Sequence, residues 1–455
     1  MATSKPLTGW WIQLGADPSA APVLEAARAR GLSTLVFDPD VDAPGARFAT
    51  RLMTRPPDAR EAIRADLRAL ARTEPILACA TALRSADALR TVAALREDHG
   101  LAGPGVDRTE LLVTRAAWKK GLADADVSTP VVALLASPLE LDRFLGVHPT
   151  ALLKPATGSR GSTGVSKVRI GDPRNRELFD EARLLSDSDL VRAEAFVSGD
   201  AYSIDGVVSA GRFRLLHLGR EFSMRNLRGT LPTGTAWGSP GQGRRADSDP
   251  RWATSEALGQ RVTDALGLDA TFLHLGVLDD GEVDHVVDLR PHVGRAIDRA
   301  LAFGGLSAAA LSLDLALEGS VTLDADPGAI TRGFAQRFFY ASAAGRLEAP
   351  TRPDVARDAE AVASSADRPA GWRALPLSGE RTRLEWDRAL GDAVERPRCA
   401  EDRVARALVE AGDQNGAWMR ANELDPDAVF RIRASRPTPT TTQRPPLWPM
   451  TPERD

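Results

Sequence analysis

The chain has 455 residues, with 58 Lys and Arg side chains against 62 Asp and Glu, so its formal net charge is −4 with neutral histidines. This balance argues against general nucleic-acid binding, which needs a basic surface that releases phosphate counterions. No apolar run approaches the roughly 20 residues of a membrane span, and no signal peptide is visible. Two cysteines, Cys79 and Cys399, give neither a disulfide framework nor zinc spacing. We therefore expect a cytoplasmic globular protein of several structural units.

The N-terminal segment alternates predicted strands with predicted helices. Apolar or β-branched runs at 10–14, 34–37 and 76–80 predict strands. Residues with helical spacing at 21–30, 61–71 and 86–99 predict the helices between and after them. This alternation predicts βαβ units with a parallel sheet. Asp38 follows the second strand, where a Rossmann fold would hold a ribose, but the turn at Gly15 lacks G-x-G-x-x-G and argues against dinucleotide binding. The mixed charges of residues 51–72 predict a solvated helix face.

The middle of the chain is rich in predicted strands. They lie at 151–154, 165–170, 190–197, 202–208, 213–218, 272–278 and 283–289, with helical patterns at 254–266 and 296–317. Residues 226–249, rich in Gly, Pro, Thr and Ser, predict a long loop that is either functional or disordered. Short strands and helices mix over 330–435, and the six prolines of 436–455 predict a disordered tail.

A lysine followed by a glycine-rich loop is the sharpest motif. The chain has only five lysines, and Lys154 ends a predicted strand just before this loop. Backbone N–H groups of such a loop can fold over phosphate oxygens, and the lysine adds a point charge. The motif is not a Walker A loop because it leads into a strand; the alternative is a flexible hairpin loop. The predicted phosphate-binding residues of the loop are Gly158, Ser159, Gly161, Ser162, Thr163 and Gly164.

A second motif reads strand, turn, strand from Leu190 through Glu194, Phe196, Gly199 and Asp200 into Ala-Tyr-Ser. With the lysine and its loop, it resembles the ATP-grasp superfamily, in its carboxylate–amine (amino-acid or peptide) ligase branch, over about residues 10–350. The resemblance implies an α/β ATP-grasp fold. The domains it implies are an N-terminal parallel α/β domain (1–112), a lid and hinge (113–200), a central domain (201–345) and a C-terminal α+β subdomain (346–435), followed by the tail (436–455).

The resemblance also implies site residues. ATP would contact Arg115 (where the family usually has a lysine), Lys154, the glycine loop, Glu194, Phe196 and Asp200, which neighbours Ala201 at the usual ribose-binding glutamate. Asp288 and His274 match metal-ligand positions, whereas Arg290 stands where an asparagine is usual. Arg290 would neutralise charge in the transition state, and Arg220 would recognise a substrate carboxylate or the γ-phosphate.

The function that the resemblance implies is ATP-dependent joining of a carboxylate to an amine through an acyl phosphate, in small-molecule biosynthesis. ATP and Mg²⁺ would be the cofactors and a small carboxylate and amine the substrates, with no nucleic-acid or membrane partner and with a homodimer left open. One alternative is a non-catalytic relative that serves as a nucleotide-binding or partner subunit. Another is a transition-metal site formed by His274, Asp288 and His292.

Overall fold

A computed structural model describes residues 8–83, 85–157, 164–226, 229–241, 243–292, 297–348, 373–377, 380–397 and 402–434. The tail predicted at 436–455 lies outside these ranges. The strands are β1 (Trp10–Leu14), β2 (Ser33–Phe37), β3 (Arg51–Met53), β4 (Ile76–Thr81), β5 (Val132–Leu135), β6 (Thr150–Pro155), β7 (Ser166–Arg169), β8 (Val191–Ala195), β9 (Asp200–Ser209), β10 (Arg212–Asn226), β11 (Gly229–Gly238), β12 (Thr271–Asp279), β13 (Asp284–Arg290), β14 (Gly333–Tyr340), β15 (Gly345–Glu348), β16 (Arg373–Leu377), β17 (Glu380–Trp386), β18 (Ala393–Val394), β19 (Arg403–Ala411) and β20 (Arg431–Ala434). The helices are α1 (Ala21–Ala29), α2 (Arg60–Leu70), α3 (Ala86–His99), α4 (Val106–Val113), α5 (Arg115–Asp124), α6 (Pro138–Val147), α7 (Asn175–Leu184), α8 (Pro250–Leu266), α9 (Ile297–Phe303), α10 (Ala308–Glu318), α11 (Gln414–Glu423) and α12 (Pro426–Val429).

The N-terminal sheet is parallel, with strand order β3-β2-β1-β4, as the alternation of strands and helices predicts. Its central strand is buried on both faces: Trp10 and Ile12 pack in one apolar cluster and Trp11 in another, which also contains Leu313 of α10. β3 lies where the sequence predicts only a helix face. Its three residues are too few for a period-two pattern to show.

A four-stranded antiparallel sheet of order β5-β8-β6-β7, with α6 and α7, forms the unit that we call the lid. Its core is formed by apolar side chains from both helices and from the sheet, including Leu141, Leu153, Phe179 and Val191. The segment that joins β6 to β7 is the glycine-rich loop, so the end of β6 carries Lys154 to the mouth of this loop.

The largest sheet has nine strands in the order β13-β12-β9-β10-β11-β14-β19-β17-β16, which we call the central sheet. Helices α5 and α8 cover one face of its β9–β10–β12 part, where Trp118, Leu122, Leu258 and Leu275 share a core. Since successive side chains of a strand point to opposite faces, His274 and Gly276 of β12 point to the face away from α8. This second face carries the polar side chains described below.

The prediction of a long loop at 226–249 is wrong for residues 229–238, which form β11. β10 continues to Asn226, and β11 pairs with it from Gly219 opposite Trp237 to Asn226 opposite Gly229. Glycine and proline hide the strand pattern here. Gly234 is required by close approach, because a Cβ at this position would meet the backbone of Gln336 and the ring of Trp418.

The helical pattern at 296–317 forms two helices, α9 and α10, because Gly305 adopts φ +77° between them. Within the part of the chain that the structure describes, no single helix is long and apolar enough to cross a membrane. Only this pair, bent by 101°, meets the criterion together, on length and composition alone.

Candidate functional site

Charged side chains from the lid, α5 and the edge of the central sheet meet in one place, which we call the basic cluster. Among the described residues, five basic side chains surround two carboxylates there. Because the positive charges outnumber the negative ones, the site is suited to a ligand that carries several negative charges. The members are Arg115, Lys119, Lys154, Arg192, Arg290, Glu194 and Asp288.

Glu194 is the anchor of the lid side of the cluster. Its carboxylate, only 3% exposed, lies 2.5 Å from Lys154 Nζ, 3.0 Å from Arg192 Nε and 3.6 Å from Lys119 Nζ. The antiparallel pairing of β6 with β8 sets Lys154 opposite Arg192, next to Glu194. Burial alone would raise the pKa of Glu194, but these cations lower it to about 2. Glu194 is therefore ionised, and it holds the cations in place.

Asp288 is the centre of the other side of the cluster. Its Oδ1 accepts a hydrogen bond from Arg115 Nη2 at 2.7 Å, and its Oδ2 lies 2.6 Å from Arg290 Nη2. Arg115 also donates to the Val287 carbonyl at 3.0 Å, which fixes its guanidinium against β13. Burial raises the pKa of Asp288, but the two arginines lower it more, so the carboxylate stays ionised.

A histidine–aspartate–histidine chain extends from the basic cluster across the central sheet. Cross-strand pairing places Asp205 of β9 opposite both His274 of β12 and His217 of β10. His274 Nδ1 lies 2.6 Å from one Asp205 oxygen, and His217 Nδ1 lies 3.0 Å from the other. Burial lowers the pKa of His274, but Asp205 raises it to above its usual value. The imidazole ring of His274 is thus held in one orientation beside Arg290, its cross-strand neighbour.

Five of the residues predicted from the sequence come together in the basic cluster, namely Arg115, Lys154, Glu194, Asp288 and Arg290. Arg220 and Asp200 do not join them. Glu221 lies beside His274 and Asp205. Its neighbour Arg220 therefore points to the opposite face of β10, where it forms an exposed 3.5 Å pair with Asp200.

Two of the remaining predicted ATP contacts, Phe196 and Gly164, are described by the structure. The ring of Phe196 is covered by Lys167, whose Nζ lies 3.2 Å from the ring centroid. Gly164 adopts φ +73° against Pro155 and Leu185. The other predicted loop residues, Gly158, Ser159, Gly161, Ser162 and Thr163, lie outside the described residues.

Sequence reasoning missed Lys119 and Arg192, although both had a usable signal. Lys119 is one of only five lysines and follows Arg115 by one helical turn, so both lie on the same face of α5. Arg192 precedes Glu194 by two residues in a strand, so their side chains share a face. Asp205 and His217 gave no local signal, because they meet His274 only through sheet pairing.

The two side chains predicted as metal ligands, Asp288 and His274, make other contacts in the structure. Both oxygens of Asp288 are engaged by guanidinium groups, Gly276 opposite it offers no side chain, and His274 is bonded to Asp205. Within the described ranges, no three His, Cys, Asp or Glu side chains are grouped to hold a metal ion. Magnesium prefers several oxygen ligands. The positions predicted as metal ligands are therefore occupied by other contacts, and the transition-metal alternative with His292 lacks a donor set.

No protein-family model and no curated protein matches the sequence. Solved structures do match. An L-amino acid ligase from Bacillus licheniformis superimposes with a TM-score of 0.71 at 16% identity, over 95% of this chain and 100% of that one. A phosphoribosylglycinamide synthetase from Anaerococcus prevotii gives 0.64 at 12% identity, over 94% and 100%.

A third match contains a bound nucleotide. The biotin carboxylase domain of Hydrogenobacter thermophilus 2-oxoglutarate carboxylase, solved as a dimer with MgADP, ADP and bicarbonate, gives a TM-score of 0.64 at 15% identity, over 94% of this chain and 91% of that one. Matches at such low sequence identity establish the fold of this chain. Its activity has to be argued from the residues of the site. The chain has the ATP-grasp fold that its lysine–glycine loop and hinge motif predict.

Proposed function

We propose that this protein binds ATP at the basic cluster and uses it to join a carboxylate to an amine. The observation that carries the proposal is the excess of positive charge at the junction of lid and central sheet, where Lys119, Lys154 and Arg192 are largely buried. Buried cations are costly unless a ligand or a partner neutralises them. Glu194 and Asp288 neutralise only part of this charge, and a polyphosphate would neutralise the rest.

The proposed reaction needs no protein nucleophile. A substrate carboxylate oxygen attacks the γ-phosphorus of ATP, and the bond between this phosphorus and the β-phosphate oxygen breaks. ADP departs, and the substrate becomes an acyl phosphate. The amine nitrogen then attacks the acyl carbon, phosphate departs, and the nitrogen loses a proton. Catalysis in such a reaction rests on positioning and on charge neutralisation.

Residues of this chain have distinct roles in that scheme. Lys154 and Lys119 would hold phosphate oxygens, with Glu194 keeping both lysines in place. Arg290, whose side chain is 43% exposed, is the cluster cation best placed to meet the transferring phosphoryl group. His274, oriented by Asp205, would take the proton that the attacking amine loses.

The solved neighbours support the substrate class. One is named an L-amino acid ligase and another is solved with MgADP, so we propose an amino acid as one substrate and ATP as the energy source. Mg²⁺ would accompany ATP on its phosphates. We place the reaction in small-molecule biosynthesis in the cytoplasm, without a nucleic-acid or membrane partner, and retain a homodimer as an untested expectation.

Two measurements test this proposal. Titration calorimetry with ATP should show binding, and a phosphate-release assay over pairs of amino acids should show turnover with at least one pair. AMP, which lacks the β- and γ-phosphates, should bind more weakly than ATP and should release no phosphate. Tight ATP binding without turnover for any acid and amine would contradict the ligase proposal.

One observation favours a second candidate, a nucleotide-binding protein without turnover. Asp288 is bound by two arginines and faces Gly276, so the one carboxylate at the predicted metal positions is already engaged by cations. The same pair of assays separates the candidates, because the non-catalytic protein would bind ATP and release no phosphate with any substrate pair.

A further inference from the structure

Arg115, Asp288 and Arg290 form a continuous bridge at the edge of the central sheet. One carboxylate is shared by two guanidinium groups, at 2.7 Å and 2.6 Å, and each arginine uses a different carboxylate oxygen. The arginines come from different elements, α5 and β13. Asp288 therefore sits between two cations that belong to separate parts of the fold.

The surroundings of Asp288 favour an anion over a metal ion. The cations Lys154 and Arg192 are close enough to interact with its charge, as is His274. The cross-strand position holds Gly276, and a Cβ there would come within 3.1 Å of the Asp288 Cβ. A divalent cation at Asp288 would meet the positive charges of Arg115 and Arg290, whereas a phosphate oxygen would meet their N–H donors.

The geometry of two arginines that converge on one small anion is that of a phosphate site. Guanidinium groups bind carboxylate and phosphate oxygens in the same planar, two-donor fashion. Asp288 satisfies one donor of each arginine. A phosphate that enters must displace this carboxylate or bind beside it against its negative charge.

We infer that Asp288 is an internal counter-anion that holds Arg115 and Arg290 ready for a phosphoryl group, and that it is not a ligand for magnesium. The inference rests on the proposed nucleotide binding and specifies how this site takes the phosphates. Polyphosphate binding to the protein then does not require a metal ion held by the chain, and Asp288 weakens that binding by competing for the arginines.

The test compares Asp288→Asn with wild type by calorimetry, with inorganic tripolyphosphate and ATP as probes, each in EDTA and in a Mg²⁺ series. Asparagine keeps the shape and removes the charge. Asp284→Asn is the matched control, since it removes a carboxylate from the same strand that pairs with Arg251 at 3.5 Å, outside the bridge. Arg290→Gln supplies a second variant with an exposed side chain. Thermal unfolding checks that each variant is folded.

The two assignments of Asp288 predict effects of opposite sign. As a counter-anion, its loss should tighten tripolyphosphate and ATP binding in EDTA roughly tenfold, the scale of one charged hydrogen-bond partner released. Asp288→Asn should leave the Mg²⁺ concentration required for ATP binding unchanged. Asp284→Asn should have no effect on binding, and Arg290→Gln should weaken it. A higher Mg²⁺ requirement, or weaker MgATP binding in Asp288→Asn, would overturn the inference in favour of a metal ligand.

Two further outcomes separate this inference from the proposed function. If wild type binds ATP and Asp288→Asn binds all probes equally well, the counter-anion assignment is overturned while nucleotide binding stands. If wild type binds neither ATP nor tripolyphosphate, both are overturned.

Discussion

Lys154 and Glu194, forty residues apart in the chain, form a 2.5 Å ion pair at the mouth of the glycine-rich loop. The lysine follows from the loop motif and the glutamate from the hinge motif, and the lid sheet brings them together because β6 and β8 are neighbours. The glutamate that the resemblance assigns to the adenine edge thus contacts the lysine that the loop motif predicts as a phosphate ligand. If Lys154 binds phosphate as proposed, the same pair links the stability of the lid to its affinity for nucleotide.

Replacing Lys154 should lower both the stability of the protein and its affinity for ATP. Lys154→Met removes one of three cations that contact a buried carboxylate, so the free energy of unfolding should fall by about 1–3 kcal/mol, less than for a buried pair that keeps no other partner. ATP should bind roughly 10- to 100-fold more weakly, the scale of one charged hydrogen bond. Urea unfolding and calorimetry measure the two effects.

Lys120→Met is the control for Lys154→Met. Lys120 is 75% exposed and pairs with Asp124 one helical turn away, so its loss should change stability by no more than about 0.5 kcal/mol and leave ATP affinity unchanged. Equal ATP affinity for Lys154→Met and wild type would remove the phosphate role of Lys154.

The Asp205 chain predicts a pH dependence of stability. Burial alone would raise the pKa of Asp205, but His274 and His217 lower it, so its contribution is present above about pH 4 and is lost as pH falls further. The raised pKa of His274 gives a contribution that is complete below about pH 6.5 and is lost as pH rises through the folded-state value. The pair should therefore stabilise the fold most between about pH 4 and 6.5.

Asp205→Asn isolates this contribution. Its free energy of unfolding should be about 3–5 kcal/mol below that of wild type in this window, because a buried charge loses its partner, and the difference should shrink above it. Asp280→Asn removes the exposed partner of His285, at 2.8 Å, and should cost no more than about 1 kcal/mol between pH 5 and 9. A difference for Asp205→Asn that stays constant from pH 5 to 9 would contradict the ionised pair.

The N-terminal sheet follows from sequence patterns more completely than the site does. Helix α3 has the predicted bounds, and β1 coincides with its apolar run, because local periodicity and turn residues determine such elements. β11 was hidden because glycines at points of close approach look like loop residues. In the site, Lys154 and Arg290 are recognisable from motifs. The contacts of Asp205 and of Asp288 depend on sheet register and on α5, which no local pattern encodes.

Gly234 tests whether close approach explains the glycine content of β11. Gly234→Ala would push a methyl group against the Gln336 backbone and the Trp418 ring, so stability should fall by about 1–3 kcal/mol. Gly146 in α6 has open space and an ordinary helical backbone, so Gly146→Ala should stabilise by about 0.5–1 kcal/mol. A Gly234→Ala protein as stable as wild type, by urea unfolding, would show that β11 and β14 can separate without cost.

Arg290 and Arg220 were both predicted as catalytic, and the structure distinguishes them. Arg290 belongs to the basic cluster through Asp288, whereas Arg220 lies on the other face of β10 with Asp200. If the protein is a ligase, the charge that Arg290 stabilises develops mainly in the transition state. Arg290→Gln should then reduce kcat by about 100-fold or more in a phosphate-release assay, with a smaller effect on ATP affinity.

Arg220→Gln provides the comparison within the same strand system. It removes an equal charge from an exposed pair, so kcat should stay within about twofold of wild type. Equal losses in the two variants would mean that the long-range field of either arginine is sufficient and that the cluster has no special role. A loss of kcat in Arg220→Gln but not in Arg290→Gln would place the reacting groups on the opposite face of β10. Only a substrate bound on that face would depend on Arg220 and be indifferent to Arg290.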